Sequence, residues 1–331
     1  MKAAWSSPIG RIVGAMGEAR DPGTGQDRYR GAFDLLVADG GKLALAAFTF
    51  DPDEPGSVVV MAGPDVPIAI GSPIPSGRVT DDGRSEWEAG FDDAITSLAS
   101  GEVAKVVLAR RVTCVFESEV DPATVWRHLI DQNPGTYCFL IDGFVGASPE
   151  LLVRVDDDRV ESLALAGTAA TEDALENEQI LTEHRHTAES VGAALAPLTT
   201  EFSADRGIHR FGGLTHVGTR FEGKLKPGVT VLDVLADLHP TAAVAGTPRD
   251  ASLDLIRRIE GPRGLYAGPV GWFDRDGNGE FAIALRCGRI TDSQVTLYAG
   301  GGLLVGSDRD RESKETDLKL RPMLRALGLE S

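Results

Sequence analysis

The chain has 331 residues, 42% of them hydrophobic and 25% charged, with 50 Asp and Glu against 33 Lys and Arg and a formal net charge of −17. That composition is ordinary for a globular chain of one large domain or two joined ones, and so negative a field argues against general affinity for nucleic acid or anionic membrane surfaces. No run of 18 apolar residues occurs and the first twenty residues lack a signal-peptide core, so a cytoplasmic protein with no membrane partner is expected.

In chain order, residues 1–80 offer two strand candidates, 43–50 and 57–61, separated by DPDEPG and followed by the Pro/Gly stretch GPDVPIAIGSPIPSG. Ser85 and Glu88 have capping-box spacing, and Trp87, Phe91, Ile95 and Leu98 then recur with a helical period. Long strand candidates follow at 103–116, 136–145, 151–155 and 162–166, interrupted by a helix that Asp121 and Pro122 start. Helical patterns recur near 178–198, 229–237, 252–259 and 310–327, and strands near 209–220, 268–273, 280–290 and 294–305. Strands grouped with hairpin signals, and helices set between the groups, predict an α+β fold with antiparallel sheets. The three cysteines, Cys114, Cys138 and Cys287, lie apart in apolar segments and read as buried free thiols.

Several residues carry possible chemistry. Lys105 shares a strand face with Val107 and Ala109, where desolvation would lower its pKa toward that of a general base; a lysine snorkelling from an edge strand fits the same pattern. Glu150, in GASPELL, stands between two strand candidates, either as a protonated acid or as an exposed turn residue. Arg286 is flanked by apolar residues and calls for an anionic partner, a ligand carboxylate or an internal salt bridge. Gly300 to Gly302 form a loop without a following GK[ST], open to close backbone approach by a ligand. On the last helix Glu312, Glu315 and Lys319 fall at i, i+3 and i+7, a narrow arc at roughly 100° per residue. Two carboxylates there point to a hard cation and Glu183 to a further oxygen ligand, while an exposed Glu315–Lys319 pair satisfies the helix alone. His184 and His186 project about 200° apart on a helix and do not make a zinc pair. The acidic run DRDGNG lacks an EF-hand's twelfth-position carboxylate, since Leu285 stands there, and reads as a hairpin turn.

Taken together, AKVVLARR, GASPELLVR, LALAGTAA, EHRHTAESV, LTHVGTRFEGKL, LHPTAAVAGTPRDASLDLI, GLYAGPVGW, IALRCGRI, LYAGGGLLVGSD and RESKETDLKL resemble the chorismate-utilising enzymes. That family includes isochorismate, salicylate, anthranilate and aminodeoxychorismate synthases. The resemblance implies antiparallel β-sheets packed as a sandwich with helices outside, as in anthranilate synthase component I. It implies one chorismate-binding domain over 1–331, with 1–100 a variable N-terminal part and 101–328 the catalytic core. It is nearest the isochorismate synthase group and implies Mg²⁺-dependent isomerisation of chorismate, with water entering at C2 and the C4 hydroxyl leaving, in the menaquinone or siderophore pathways; a monomer is the default expectation.

By motif, the resemblance makes Lys105 the general base and Glu150 the general acid. Glu183 and Glu315 would hold Mg²⁺ with Glu312 assisting, and Arg286, Gly300 and Tyr266 would bind the enolpyruvyl carboxylate. Gly167, Thr168, His216, Ala243, Val244 and Lys319 would complete the pocket. Ala166 stands where the aminodeoxychorismate enzymes carry a nucleophilic lysine, and Ala243 and Val244 differ from the hydroxyl-bearing pattern of aminating and salicylate-forming enzymes. The segment ALENEQILT before Glu183 is shorter than the family pattern. A salicylate synthase, an anthranilate synthase component I, and a silent metal- or carboxylate-binding protein on the same fold are the alternatives.

Overall fold

A computed structural model describes residues 3–10, 12–15, 17–61, 72–169, 175, 177–211 and 214–329. Two antiparallel sheets organise it. The first runs β13 (Gly246–Thr247), β6 (Lys105–Phe116), β17 (Gln294–Leu303), β16 (Cys287–Thr291), β8 (Phe144–Ser148), β7 (Tyr137–Ile141), β1 (Ala3–Ser6) and β2 (Ile12–Ala15), with β5 (Gly77–Asp81) also on β6. The second runs β11 (Thr199–Phe211), β12 (Leu214–Leu225), β10 (Arg159–Ala169), β9 (Leu151–Asp156), β15 (Gly279–Ile283), β14 (Pro269–Asp274), β3 (Leu43–Ala47) and β4 (Val58–Met61).

The sheets share a core because their strands alternate with period two. Trp5, Tyr137, Phe139 and Ile141 join one buried cluster with Val153 and Phe281 of the second sheet, while Ala4, Cys138 and Leu140 turn outward beneath α3 (Pro122–Gln132) and α7 (Arg309–Ala326). Trp5 Nε1 ties the sheets directly by donating to Glu280 Oε1 at 2.9 Å. Helix α4 (Glu178–Leu195) packs on β10 and β12, and α5 (Val231–Leu238) on β9 and β14. Helices α2 (Arg84–Ser100) and α6 (Arg249–Glu260) cover β6. The α+β sandwich with outer helices is therefore as expected, and all three cysteines are buried and free. No helix among the described residues is long and apolar enough to cross a membrane.

Some expectations are corrected. The predicted strand 136–145 is two strands, β7 and β8, because Asp142 (φ 46°) and Gly143 (φ 79°) both take the left-handed conformation of a tight hairpin. The predicted strand 209–220 belongs to a long hairpin of β11 and β12, whose tip at 212–213 lies outside the described residues. The predicted strand 280–290 breaks after Ile283, where the chain leaves the second sheet for the first and Arg286 turns to φ 49°. Helix α2 starts at Arg84 with Gly83 as an N-cap that supplies no side-chain cap, so Ser85 and Glu88 sit inside it and make no capping box. Helix α1 (Asp27–Ala38) and strands β1, β2 and β5 were not read from the sequence. DRDGNG is a hairpin turn between β14 and β15, with Asp274 Oδ1 accepting from the Asp276 and Asn278 amides. Residues 63–71 of the Pro/Gly stretch lie outside the described residues.

Candidate active site

The chain passes between the sheets at two adjacent places, and each passage carries a site residue. Between β8 and β9 stands Glu150; between β15 and β16 stands Arg286. The passages are laced together, since the Ile283 amide donates to Glu150 O at 3.2 Å and the Ala147 amide donates to Arg286 O at 3.1 Å. Both residues line a cavity of about 700 Å³, open mouth included, shared with Glu183, His216, Ala243, Val244, Tyr266, Gly300, Glu315 and Lys319.

Glu150 is 4% exposed and its Oε1 accepts from the Leu165 amide at 3.1 Å. Burial pushes its carboxyl up to about 8, against the pull of that amide and of Lys105. Arg286 is partly buried and shifted down to about 10 by desolvation, with Glu315 opposing. His216 is buried and pushed down to about 3 by desolvation and then by Arg286, so it is a neutral ring at physiological pH. Tyr266 stacks on Tyr298 at 5.1 Å and 11°. A Cβ on Gly300 would stand 2.7 Å from the Tyr266 hydroxyl, so the tyrosine needs glycine there.

Lys105 and Glu312 do not line the cavity in this arrangement. Lys105 opens β6 with no exposed surface, behind Glu183 and Gly302. Its Nζ donates to Thr187 Oγ1 at 3.1 Å and meets Glu183 Oε1 at 3.4 Å. Burial holds its ammonium pKa below the usual range, against the opposing pull of Glu183. Glu312 is 2% exposed beside Gly301 and pairs with Arg311 at 3.1 Å. Its carboxyl is pushed up to about 7 by burial and then by Glu315. The Glu315–Lys319 ion pair expected of an exposed helix face forms at 2.6 Å, but it points into the cavity, where Lys319 Nζ also donates to Gly300 O at 2.7 Å. The backbones of Gly167 and Thr168 lie at a bulge in β10, with Thr168 opposite His216; the Thr168 side chain lies outside what the structure describes. His184 turns instead to Thr219, 2.8 Å away.

Other residues escaped the sequence reading. The glycines at 300–302 are strand, not loop, and Gly302 shares the cavity face with Gly300. A Cβ on Gly302 would fall 2.2 Å from Glu183 Oε1 and 3.0 Å from Lys105 Cε, so this glycine makes room for the pair; its place two residues from Gly300 was the available signal. Arg263 and Glu260 form a buried pair at 2.6 Å. Arg263 also donates to Val107 O at 2.7 Å and Val244 O at 2.8 Å, and Glu260 Oε1 accepts from the Ala109 amide at 2.8 Å. That pair ties β6 to the 241–245 turn that presents Ala243 and Val244, and no local pattern marks it.

Glu183, Glu312 and Glu315 offer the all-oxygen donor set a hard divalent cation takes, and their mutual repulsion contributes to the raised Glu312. Among the described residues, however, no three acidic, histidine or cysteine side chains converge on one point, because each of these carboxylates is turned to its own cation. The donor chemistry fits Mg²⁺; the side chains would have to swing off their partners to hold it.

The family described as "Chorismate binding enzyme" matches residues 74–328. Over 263 residues, 74% of this chain, the sequence is 34% identical to the isochorismate synthase MenF of Bacillus subtilis (strain 168) and 38% identical to the salicylate biosynthesis isochorismate synthase of Pseudomonas aeruginosa. Those matches span 56% and 55% of the relatives' lengths, so the chain covers a little over half of each. The structure of MenF, the menaquinone-specific isochorismate synthase from Escherichia coli, superposes with a TM-score of 0.80 at 25% identity, covering 99% of this chain and 88% of that one.

Proposed function

The chain belongs to the chorismate-binding enzymes, and on that premise we propose that it is an isochorismate synthase, a Mg²⁺-dependent isomerase of chorismate acting as a cytoplasmic monomer. The observation that carries the reading is Glu150, a buried carboxyl whose raised pKa keeps it protonated at neutral pH inside the same cavity as a partly desolvated arginine. A protonated acid is what a hydroxide leaving group requires.

In the proposed reaction Lys105 removes a proton from water as its oxygen bonds to C2. Both ring double bonds shift, C1=C2 to C1=C6 and C5=C6 to C4=C5, the C4–O bond breaks, and Glu150 gives its proton to the departing hydroxyl, which leaves as water. One water enters and one leaves, so the product is an isomer. Arg286, with the Gly300 backbone and Tyr266, would hold the enolpyruvyl carboxylate by charge-assisted hydrogen bonds. Glu183 and Glu315, with Glu312 in support, would hold Mg²⁺. When bound, the ion would neutralise the ring carboxylate and orient it. A Glu183 that held the ion would give up its ion pair with the Lys105 amine. Ala166, on the cavity wall, supplies no nucleophile for amination.

Incubating the purified protein with chorismate, with and without Mg²⁺, and separating the products tests the reading. Isochorismate formed only with Mg²⁺ is the expected result. Salicylate, or anthranilate when ammonia is added, would move the activity to another branch of the family. Chorismate binding by calorimetry without any product would make the chain a silent binding protein.

A further inference from the structure

Along α4, Glu183, Thr187 and Ser190 recur at i, i+4 and i+7, one arc of the helix at roughly 100° per residue. Each reaches a different part of the site. Glu183 lines the cavity, Ser190 Oγ accepts from the Ala242 amide of the 241–245 turn at 3.1 Å, and Thr187 Oγ1 accepts from Lys105 Nζ at 3.1 Å. Thr187 has no exposed surface. Its single hydroxyl proton goes to Glu183 O, one turn back, at 3.2 Å. Such back-bonding is common for a helical threonine and satisfies the donor by itself, but it does not account for the oxygen's other side being turned to a buried lysine. A hydroxyl whose proton is committed can only accept from that neighbour.

The main chain of Lys105 is fixed, since Ser252 Oγ donates to its carbonyl at 3.1 Å and Thr247 of β13 pairs with it. The flexible four-carbon stem remains to be placed, and rotation about it decides where the amine points. A neutral amine carries two N–H groups and one lone pair. With one N–H held by an oxygen that can only accept, the lone pair cannot face Thr187 and is left for the cavity that Gly302, beside Lys105 Cε, helps to line. We propose that Thr187 is the positioning residue of the general base, holding the Lys105 amine with its lone pair turned to the attacking water. The inference rests on the reading that Lys105 activates water for attack on chorismate. Thr187 does not line the cavity, so it acts through Lys105 and not on the substrate.

The test is steady-state kinetics with chorismate at saturating Mg²⁺ for wild type, Thr187→Val, Thr187→Ser, Lys105→Ala and the Lys105→Ala/Thr187→Val double variant. Valine keeps the branched shape and removes the acceptor. Its kcat should fall about ten-fold, a part of the roughly 10²–10⁴-fold that a general base supplies, because the amine is present but misaimed. KM for chorismate and calorimetric Mg²⁺ affinity should stay near wild type. Thr187→Ser keeps the acceptor and should restore most of the rate. In the Lys105→Ala background the valine should cost nothing further, since no amine is left to aim. Should valine keep the chain from folding, Thr187→Ala removes the same acceptor and carries the same expectations. A normal kcat in the valine variant, a loss that appears in KM instead, a serine variant as slow as valine, or an equal loss without Lys105 would overturn the role. Failure of wild type to convert chorismate would sink the functional reading, and this inference with it, before any variant is compared.

Discussion

On the wall built by β6, α6 and the 241–245 turn, the Arg263–Glu260 pair is almost fully buried and anchors two carbonyls and one amide. On the wall built by α4 and α7, Glu183 and Glu315 are about one-fifth exposed, each against a single lysine. A buried pair with its hydrogen bonds satisfied cannot part without leaving an uncompensated charge, which costs several kcal/mol. A part-exposed pair such as Glu315–Lys319 exchanges partners at little cost, because water screens its charges; Glu183 faces a lysine with no exposed surface, whose lowered pKa lets the amine go neutral when the carboxylate leaves. One wall therefore fixes the shape of the cavity, while the other keeps its carboxylates available.

That contrast can be broken from either side. The largest effect belongs to the chemistry: Lys105→Ala or Glu150→Gln should lower turnover by about 10²–10⁴-fold with the circular dichroism spectrum unchanged. A Lys105→Ala variant with normal single-turnover kinetics would remove the base from the scheme. On the fixed wall, Arg263→Met should lower unfolding stability by about 3–5 kcal/mol, since Glu260 is left buried and unpaired. Arg263→Met with Glu260→Leu should recover much of that loss in a denaturant titration. On the adaptable wall, Lys319→Met should cost less than about 1 kcal/mol while raising KM for chorismate.

The same contrast explains what the sequence disclosed. Lys105, Glu150, Arg286 and the helix bearing Glu312, Glu315 and Lys319 were legible because each is a charged residue in apolar or periodic surroundings, an anomaly that local reading detects. The Arg263–Glu260 pair was not, because its partners Val107, Ala109 and Val244 are far away in sequence and their contribution is backbone carbonyls and an amide, which no side-chain pattern reports. Arg286 was read as strand because FAIALRCGRI is apolar around its two arginines, whereas a change of sheet requires a break that only the partner strands define. The adjacency of the two passages, which brings Glu150 and Arg286 to one cavity, is likewise a property of the sandwich.

The pH profile sharpens the role of Glu150. Its folded pKa, about 8, lies above the ordinary carboxylate value, so the acid form persists through neutrality and is lost as pH rises past that point. Turnover should fall about ten-fold per pH unit above it. The sign for stability follows from the same shift: the folded state binds this proton more tightly than the unfolded chain, so Glu150's own contribution to stability is greatest at low pH and declines as pH rises from the ordinary carboxylate range through about 8. Glu150→Gln should flatten that decline and abolish the alkaline limb of whatever activity remains. A limb that survives the substitution would assign it to another group.

The smallest change reaches the adaptable wall without touching a charge. In Gly302→Ala the new methyl would meet Glu183 Oε1 at 2.2 Å and Lys105 Cε at 3.0 Å. The first obstacle is the free end of a side chain already one-fifth exposed, so the carboxylate can turn aside and the fold should lose no more than about 1–2 kcal/mol. What should change is the placement of Glu183. If that carboxylate is a cation ligand, calorimetric Mg²⁺ affinity should fall about 10–100-fold, as it does when a ligand's supporting contacts are removed, with the melting temperature of the cation-free protein nearly constant. An unaltered affinity would mean that Glu183 reaches the cation by a route that never passes Gly302, and the ligand set would then have to be redrawn around Glu312 and Glu315.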